Sequence, residues 1–380
     1  MIGMELSMYG NCMVSVVCAT YNQKEYIRET IESIVQQKVD FEYEIIIHDD
    51  ASTDGTTEII KEFESKYSQI RVIYEEKNKY LNGIPFLWDV VENYAKGKYI
   101  ALCDGDDYWI DDFKLQSQYD IMESHPECDL CACWGCTVTE DGKKEISQIR
   151  PRIGDGILSV EDTILGGGQY LVTAGLFFRQ TLSDALKKFG YLDYAIQMLG
   201  AVRGGIMYLD RKMAVYRRYA HGSWTNDVLK NDEKLFLQWE KERKLLAGFN
   251  EYTCGQYKEV IDKRLKAYSS FLDQLHDRKE VVLEIIGGCQ HPAYIWGLGR
   301  RGRSLEAFLM DEKIVVDGVC DAINENVGGT DEYGNLVVHT DEVLEKAKTI
   351  WASTKFAYND LMRMKTDGKV IDLSPFMPYG

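Results

Sequence analysis

The sequence predicts an α/β chain: a parallel sheet with right-handed crossovers first, a helical connection next, and a smaller α/β module last. Three observations carry this. Short apolar runs alternate with helically periodic segments from Val14 to Leu102. Strands alternating with helices at that spacing close into a parallel sheet. Acids cluster where the apolar runs stop, at Asp49-Asp50 and Asp104-Gly-Asp-Asp107. After a long stretch rich in Lys, Glu and Leu, the alternation restarts at Ala293, followed by Gly297-Leu-Gly-Arg-Arg-Gly302.

Val14 to Ala19 reads as a first buried strand running into Thr20-Tyr21-Asn22. Ile27, Ile31, Ile34 and Val35 then recur at helical spacing. Tyr43 to Ile47 is a second strand, and Ser52 or Asp54 is placed to cap the helix carrying Ile59, Ile60, Phe63 and Tyr67. Arg71 to Tyr74 is a third strand, and a helix follows with Leu87, Val90, Val91 and Tyr94. Tyr99 to Leu102 is a fourth, buried on both faces, and it ends in Asp104, Asp106 and Asp107. So much buried negative charge calls for a cation. Hard divalent ions accept carboxylate and phosphate oxygens together. Gly105 lets the backbone turn between the acids without a side chain to crowd a ligand. Ligands of open α/β sheets sit beyond the carboxyl ends of the strands, where these acids lie.

The totals narrow the classes. The chain has 380 residues, a length for two domains, with 45% hydrophobic and 28% charged residues. A net charge of −17 excludes the basic footprint that nucleic acid requires. No apolar run reaches a membrane-spanning length and no signal pattern opens the sequence. The expected address is the cytoplasm, with a peripheral position at the inner membrane face as the alternative. The ten cysteines then read as reduced thiols. Cys128, Cys131, Cys133 and Cys136 overlap zinc-ligand spacing, but the same residues fit a strand from Asp129 to Val138 and read as core thiols.

Val14 to Asn22, His48 to Thr56 and Ala95 to Trp109 together resemble the GT-A glycosyltransferases of family 2, and with later motifs the likeness covers roughly residues 12 to 225. The resemblance implies a Rossmann-like GT-A domain over residues 10–225. It implies a nucleotide site at Thr20, Tyr21, Asp49, Asp104 and Asp106, with Tyr21 stacked on the base and Asp49 on uracil. It implies Mg²⁺ or Mn²⁺ on Asp106, joined by His221, which follows the strand Ala214 to Arg218. Asp193, at the start of a helix, matches the acid that serves the family as catalytic base. Read alone, Asp193 is a helix cap.

Between these motifs, Asp111 to Ser124 is an expected helix, Asp141-Gly142 a hairpin turn and Leu171 to Arg179 a strand closed by a cation. Gly166-Gly-Gly168 is either a loop near the acceptor or an ordinary turn. Apolar residues at helical spacing from Leu235 to Leu275 predict a helical linker over residues 226–288. Residues 289–380 form the last domain. Its strand Ala293–Trp296, the glycines Gly297, Gly299 and Gly302, and Asp321 after a strand from Ile314 to Cys320 make a dinucleotide fingerprint in the right context. The fold expected there is Rossmann-like, and NAD(P) is the weaker expectation.

The function expected is transfer of a sugar, with inversion, from a nucleotide-sugar such as a UDP-sugar to a saccharide or lipid-linked saccharide hydroxyl. The rivals are an NAD(P)-dependent oxidoreductase and a non-catalytic nucleotide-sugar-binding module.

Overall fold

In the computed structural model, the described residues are 12–80, 87–189, 193–218, 220, 232–265, 271–297, 300–320, 327–331, 334–354, 357–358, 361–364 and 366–376. The chain divides into two units, Met1–Ile261 and Asp262–Gly380.

The first unit is built on one mixed sheet. Strands β1 (Cys12–Thr20), β2 (Glu42–Asp49), β3 (Ile70–Tyr74) and β4 (Tyr99–Leu102) lie in the order β3-β2-β1-β4, all parallel. The predicted strands are therefore present, β4 with the bounds expected. Register brings their ends level: Thr20 pairs with Asp49, and Asp49 with Tyr74. The crossover helix Ile27–Val35 buries Ile27, Ile31 and Ile34, and Thr56–Lys66 buries Ile60 and Phe63. The second helix is capped by neither expected residue but starts from Gly55 at φ +105°; Asp54, one residue earlier, accepts the Thr56 N–H on Oδ1 at 2.9 Å. Ser52 instead accepts the Asn22 N–H at 3.0 Å.

Beyond β4 the sheet turns mixed. It continues through β9 (Leu176–Arg179), β6 (Leu130–Val138), β10 (Ile206–Arg217) and β5 (Tyr108–Trp109). Strands β7 (Glu145–Ile149) and β8 (Gly156–Leu158) pair with β6 and β10. The hairpin between β6 and β7 turns at Gly142, at φ +70°. Cys128, Cys131 and Cys133 join the main core and Cys136 packs in a separate cluster with Val138 and Val215. Burial pushes their thiols up.

Boundaries in the first unit differ from expectation by three residues or more at Lys114 and Leu176. The helix expected from Asp111 begins at Lys114. The strand expected over Leu171 to Arg179 is strand only from Leu176; Thr173–Gly175 is a single 3₁₀ turn. Side chains replace ladder partners there. Trp109 Nε1 donates to Ala174 O and Gln118 Nε2 to Gly175 O, each at 2.8 Å. Gly166-Gly-Gly168 ends the helix Val160–Gly166, with Gly167 at φ +74° as its cap.

In the second unit, β11 (Ala293–Trp296), β12 (Gly318–Cys320), β13 (Thr349–Ala352) and β14 (Lys369–Asp372) form a parallel sheet in the order β12-β11-β13-β14. Phe271 and Leu275, with Val282 and Ile286, come from two helices of the 226–288 stretch and share a core with Ile295, Leu305 and Phe308. The strand expected from Ile314 starts at Gly318. Ahead of it Asp317 takes over the pairing, its carboxylate accepting the Ala293 N–H at 2.7 Å. Gly297 has φ +99°, and a Cβ on Gly302 would lie 1.7 Å from Gly297 O, so both need glycine. Gly299 and Asp321 lie outside the described residues.

Candidate active site

The loops after β1 and β2 are laced together. Asp50 N–H donates to Thr20 O at 3.0 Å, Gln23 N–H to Thr56 Oγ1 at 2.8 Å, and Thr53 N–H to Asn22 Oδ1 at 2.7 Å. Asn22 at φ +51° and Ala51 at φ +64° hold left-handed conformations that side chains disfavour. Such strain persists where surrounding bonds over-determine it, commonly at functional sites. Tyr21 is 38% exposed at this rim, open to a ligand. Thr20 is also here, but its hydroxyl donates to Gln23 Oε1 at 2.7 Å and its carbonyl is engaged by Asp50. Asp49 is buried, one oxygen accepting from Ser52 N–H at 3.1 Å and the other from Thr57 Oγ1. Asp50 accepts the Lys79 and Tyr80 N–H groups at 2.7 and 3.0 Å and so holds the loop after β3.

The acid loop after β4 meets this rim. Gly105 N–H donates to Ala19 O at 2.8 Å. Thr30 Oγ1 reaches Gly105 O at 2.9 Å and Asp107 O at 2.7 Å. Arg217, from the end of β10, is buried beneath it. Its N–H donates to Asp107 Oδ1 at 3.1 Å, its Nη1 to Asp106 O at 2.6 Å, and its Nη2 to Glu29. Its guanidinium sits 5.2 Å from the Tyr26 ring centroid and 4.6 Å from that of Tyr108. The sequence marked the strand Ala214 to Arg218 but gave Arg217 no role; an arginine that far along the chain carries no local sign of its partners.

Asp193 is in the first turn of the helix Asp193–Ala201. Its Oδ2 accepts from Thr173 Oγ1 at 2.6 Å. The electrostatics tie it to the acid loop. Burial, with the charges of Asp193 and Asp106, pushes the Asp104 carboxyl well above the ordinary carboxylate range. Burial also raises Asp107, helped by Asp106 and Asp104, and raises Asp106, opposed in part by Arg217. Asp193 rises through burial, opposed by the Thr173 bond. The acids are thus gathered with one buried guanidinium among them. Among the described residues the Asp104 carboxylate has no hydrogen-bond partner. Asp210, a further acid of β10, is committed elsewhere: Arg150 binds it at 2.7 and 2.6 Å, holding its carboxyl down at about 2.

The donor set suits a hard divalent cation. No three His, Cys, Asp or Glu side chains among the described residues make a complete cage. An Mg²⁺-like site needs only one or two carboxylates, the rest being water and phosphate. His221 lies outside the described residues.

The model of the family described as "Glycosyl transferase family 2" matches residues 15–222, which include every acid of this site. The chain belongs to glycosyl transferase family 2. Among proteins similar to this family 2 chain, the uncharacterized protein Rv1520 of Mycobacterium tuberculosis is 38% identical over 213 residues, 56% of this chain and 60% of that protein. The match therefore spans less than two thirds of that relative. The UDP-Glc:α-D-GlcNAc-diphosphoundecaprenol β-1,3-glucosyltransferase WfaP of Escherichia coli is 41% identical over 112 residues, 30% of this chain and 42% of WfaP. Among solved structures, S. aureus TarS 1-349 in complex with UDP-GlcNAc aligns at a TM-score of 0.46 with 17% identity, covering 72% of this chain and 88% of TarS 1-349. The α/β architecture expected from the sequence is thus that of a family 2 glycosyltransferase, with a separate parallel sheet in the second unit. No described helix is long and apolar enough to cross a membrane.

Proposed function

We propose that this glycosyltransferase is metal-dependent and inverting, and moves a hexose from a UDP-sugar to a hydroxyl of a saccharide or lipid-linked saccharide in polysaccharide biosynthesis. The observation that carries the reading is the meeting of the acid loop after β4 with the rim after β1, through Gly105 N–H to Ala19 O and Thr30 Oγ1 to Gly105 O, within the stretch that matches family 2. The name of WfaP supports the donor and acceptor class.

In this reading Tyr21 and Asp49 receive the base, Asp104 and Asp106 the ribose and diphosphate side, and Asp106 with His221 holds Mg²⁺ or Mn²⁺. When bound, the cation offsets charge that builds on the diphosphate. Asp193 takes the proton of the acceptor hydroxyl through Oδ1, which accepts no hydrogen bond from the described residues. The hydroxyl oxygen bonds to the anomeric carbon from the face opposite the diphosphate. The bond to the diphosphate breaks and its electron pair leaves with UDP. One displacement inverts the anomeric configuration. Burial raises Asp193, which brings its basicity nearer to working pH.

Asp193→Asn tests this. Turnover should fall by about 10² to 10⁴, while UDP with Mn²⁺ still shifts the melting temperature as in wild type. Wild-type UDP release by the Asn variant would remove Asp193 from the mechanism.

A further inference from the structure

A base must present one oxygen in a fixed direction, and among the described residues the Asp193 carboxylate takes its hydrogen bond from outside its own helix. Its recorded partner is Thr173 Oγ1, 2.6 Å from Oδ2, on a different element. The 3₁₀ turn that carries Thr173 is unusually well tethered. Trp109 Nε1 and Gln118 Nε2 hold the carbonyls of Ala174 and Gly175. Lys114 Nζ donates to Gln118 Oε1 at 2.7 Å and so fixes which end of that amide faces Gly175. Lys114 is fully buried, with its ammonium 4.1 Å from the Trp109 ring centroid. A buried cation is costly, and the transfer chemistry has no use for this one. What it does is lock the turn.

We infer that Thr173 is the positioning residue for the base, an inference that rests on the reading of Asp193 above. Its hydroxyl occupies Oδ2 and leaves Oδ1 for the acceptor proton. The bond also favours the ionised carboxylate, and so opposes the rise that burial causes. The charge of Asp193 in turn adds to the rise of Asp104, on the loop after β4. Thr173 thereby sets the pH at which the base is ready. Residues 173 and 193 share no motif, and the contact exists only in the folded chain.

The test compares Thr173→Val, which removes the donor at similar volume, with Thr173→Ser, which keeps it, and with Asp193→Asn, all in the full chain. Aspartate-labelled protein is titrated by ¹³C NMR, and the Asp193 signal is the one that Asp193→Asn deletes. UDP release from UDP-glucose and UDP-N-acetylglucosamine with Mn²⁺ is followed across pH. In Thr173→Val the Asp193 midpoint should rise by about one pH unit. The acid limb of kcat/KM should move up with it, kcat on the plateau should drop about tenfold, and donor KM should hold. Thr173→Ser should restore all three. Thr173→Ala carries the same readouts if the Val variant does not fold. An unmoved midpoint in the variants lacking the hydroxyl overturns the role of Thr173, even where Asp193→Asn is inactive. Wild-type turnover in Asp193→Asn overturns the base reading instead.

Discussion

At Gly105 the site is set by space. The residue is absent from the positive-φ glycines, so its backbone does not demand glycine. A Cβ there would lie 2.3 Å from Gln23 Oε1 and 2.6 Å from Thr20 Oγ1. The sequence suggested that a side chain would crowd a ligand; what it would crowd first is the rim after β1. Gly105→Ala should therefore separate the acid loop from Tyr21. The expected cost is about 1–3 kcal/mol of stability, read from urea unfolding, with donor affinity weakened in titration with UDP and Mn²⁺. Unchanged stability and affinity would mean that the loop absorbs the methyl group freely.

Among the elements, the helix Lys114–Ser124 does more than cover the sheet. It sends Lys114 and Gln118 inward to the turn before β9, where the apolar pattern of residues 171–175 had suggested strand. Burial lowers the Lys114 pKa. Folding then expels a proton at pH values between that lowered value and the unfolded one, about 10.4. In that window the unfolded chain binds more protons, so stability rises with pH. Wild type should gain stability relative to Lys114→Met as pH climbs through the window, and the gap should be flat below it. Thermal unfolding of both chains from pH 6 to about 10 measures this. A gap independent of pH across that range would show that the amine stays charged throughout.

For the whole molecule, the second unit raises the question of a second ligand. Its parallel sheet and its Gly297 and Gly302 packing are the features a dinucleotide fold requires. Fold alone does not supply a ligand. Thermal shifts on the full chain decide between the readings. UDP with Mn²⁺ should raise the melting temperature, and Asp106→Asn should abolish the Mn²⁺-dependent part. NAD⁺ and NADP⁺ at about 1 mM should do nothing. A Kd of about 100 μM would add roughly 1.4 kcal/mol at that concentration, and such a shift would revive the oxidoreductase reading.

Local patterns in the sequence determined the parallel half of the sheet, its buried helix faces and the strand ends where acids gather. These follow from periodicity and from burial on both faces, which neighbouring residues record. The Rossmann-like sheet after Ala293 was legible for the same reason. Tertiary structure alone decided which groups meet. Arg217 reaches the acid loop across 111 positions, and Thr173 reaches Asp193 across 20. It also decided that Asp210 is tied to Arg150 and that residues 173–175 turn where their apolar character suggested a strand. A hydrogen bond between distant elements leaves no periodic trace in either segment, because each side chain is chosen by a partner that only folding brings near.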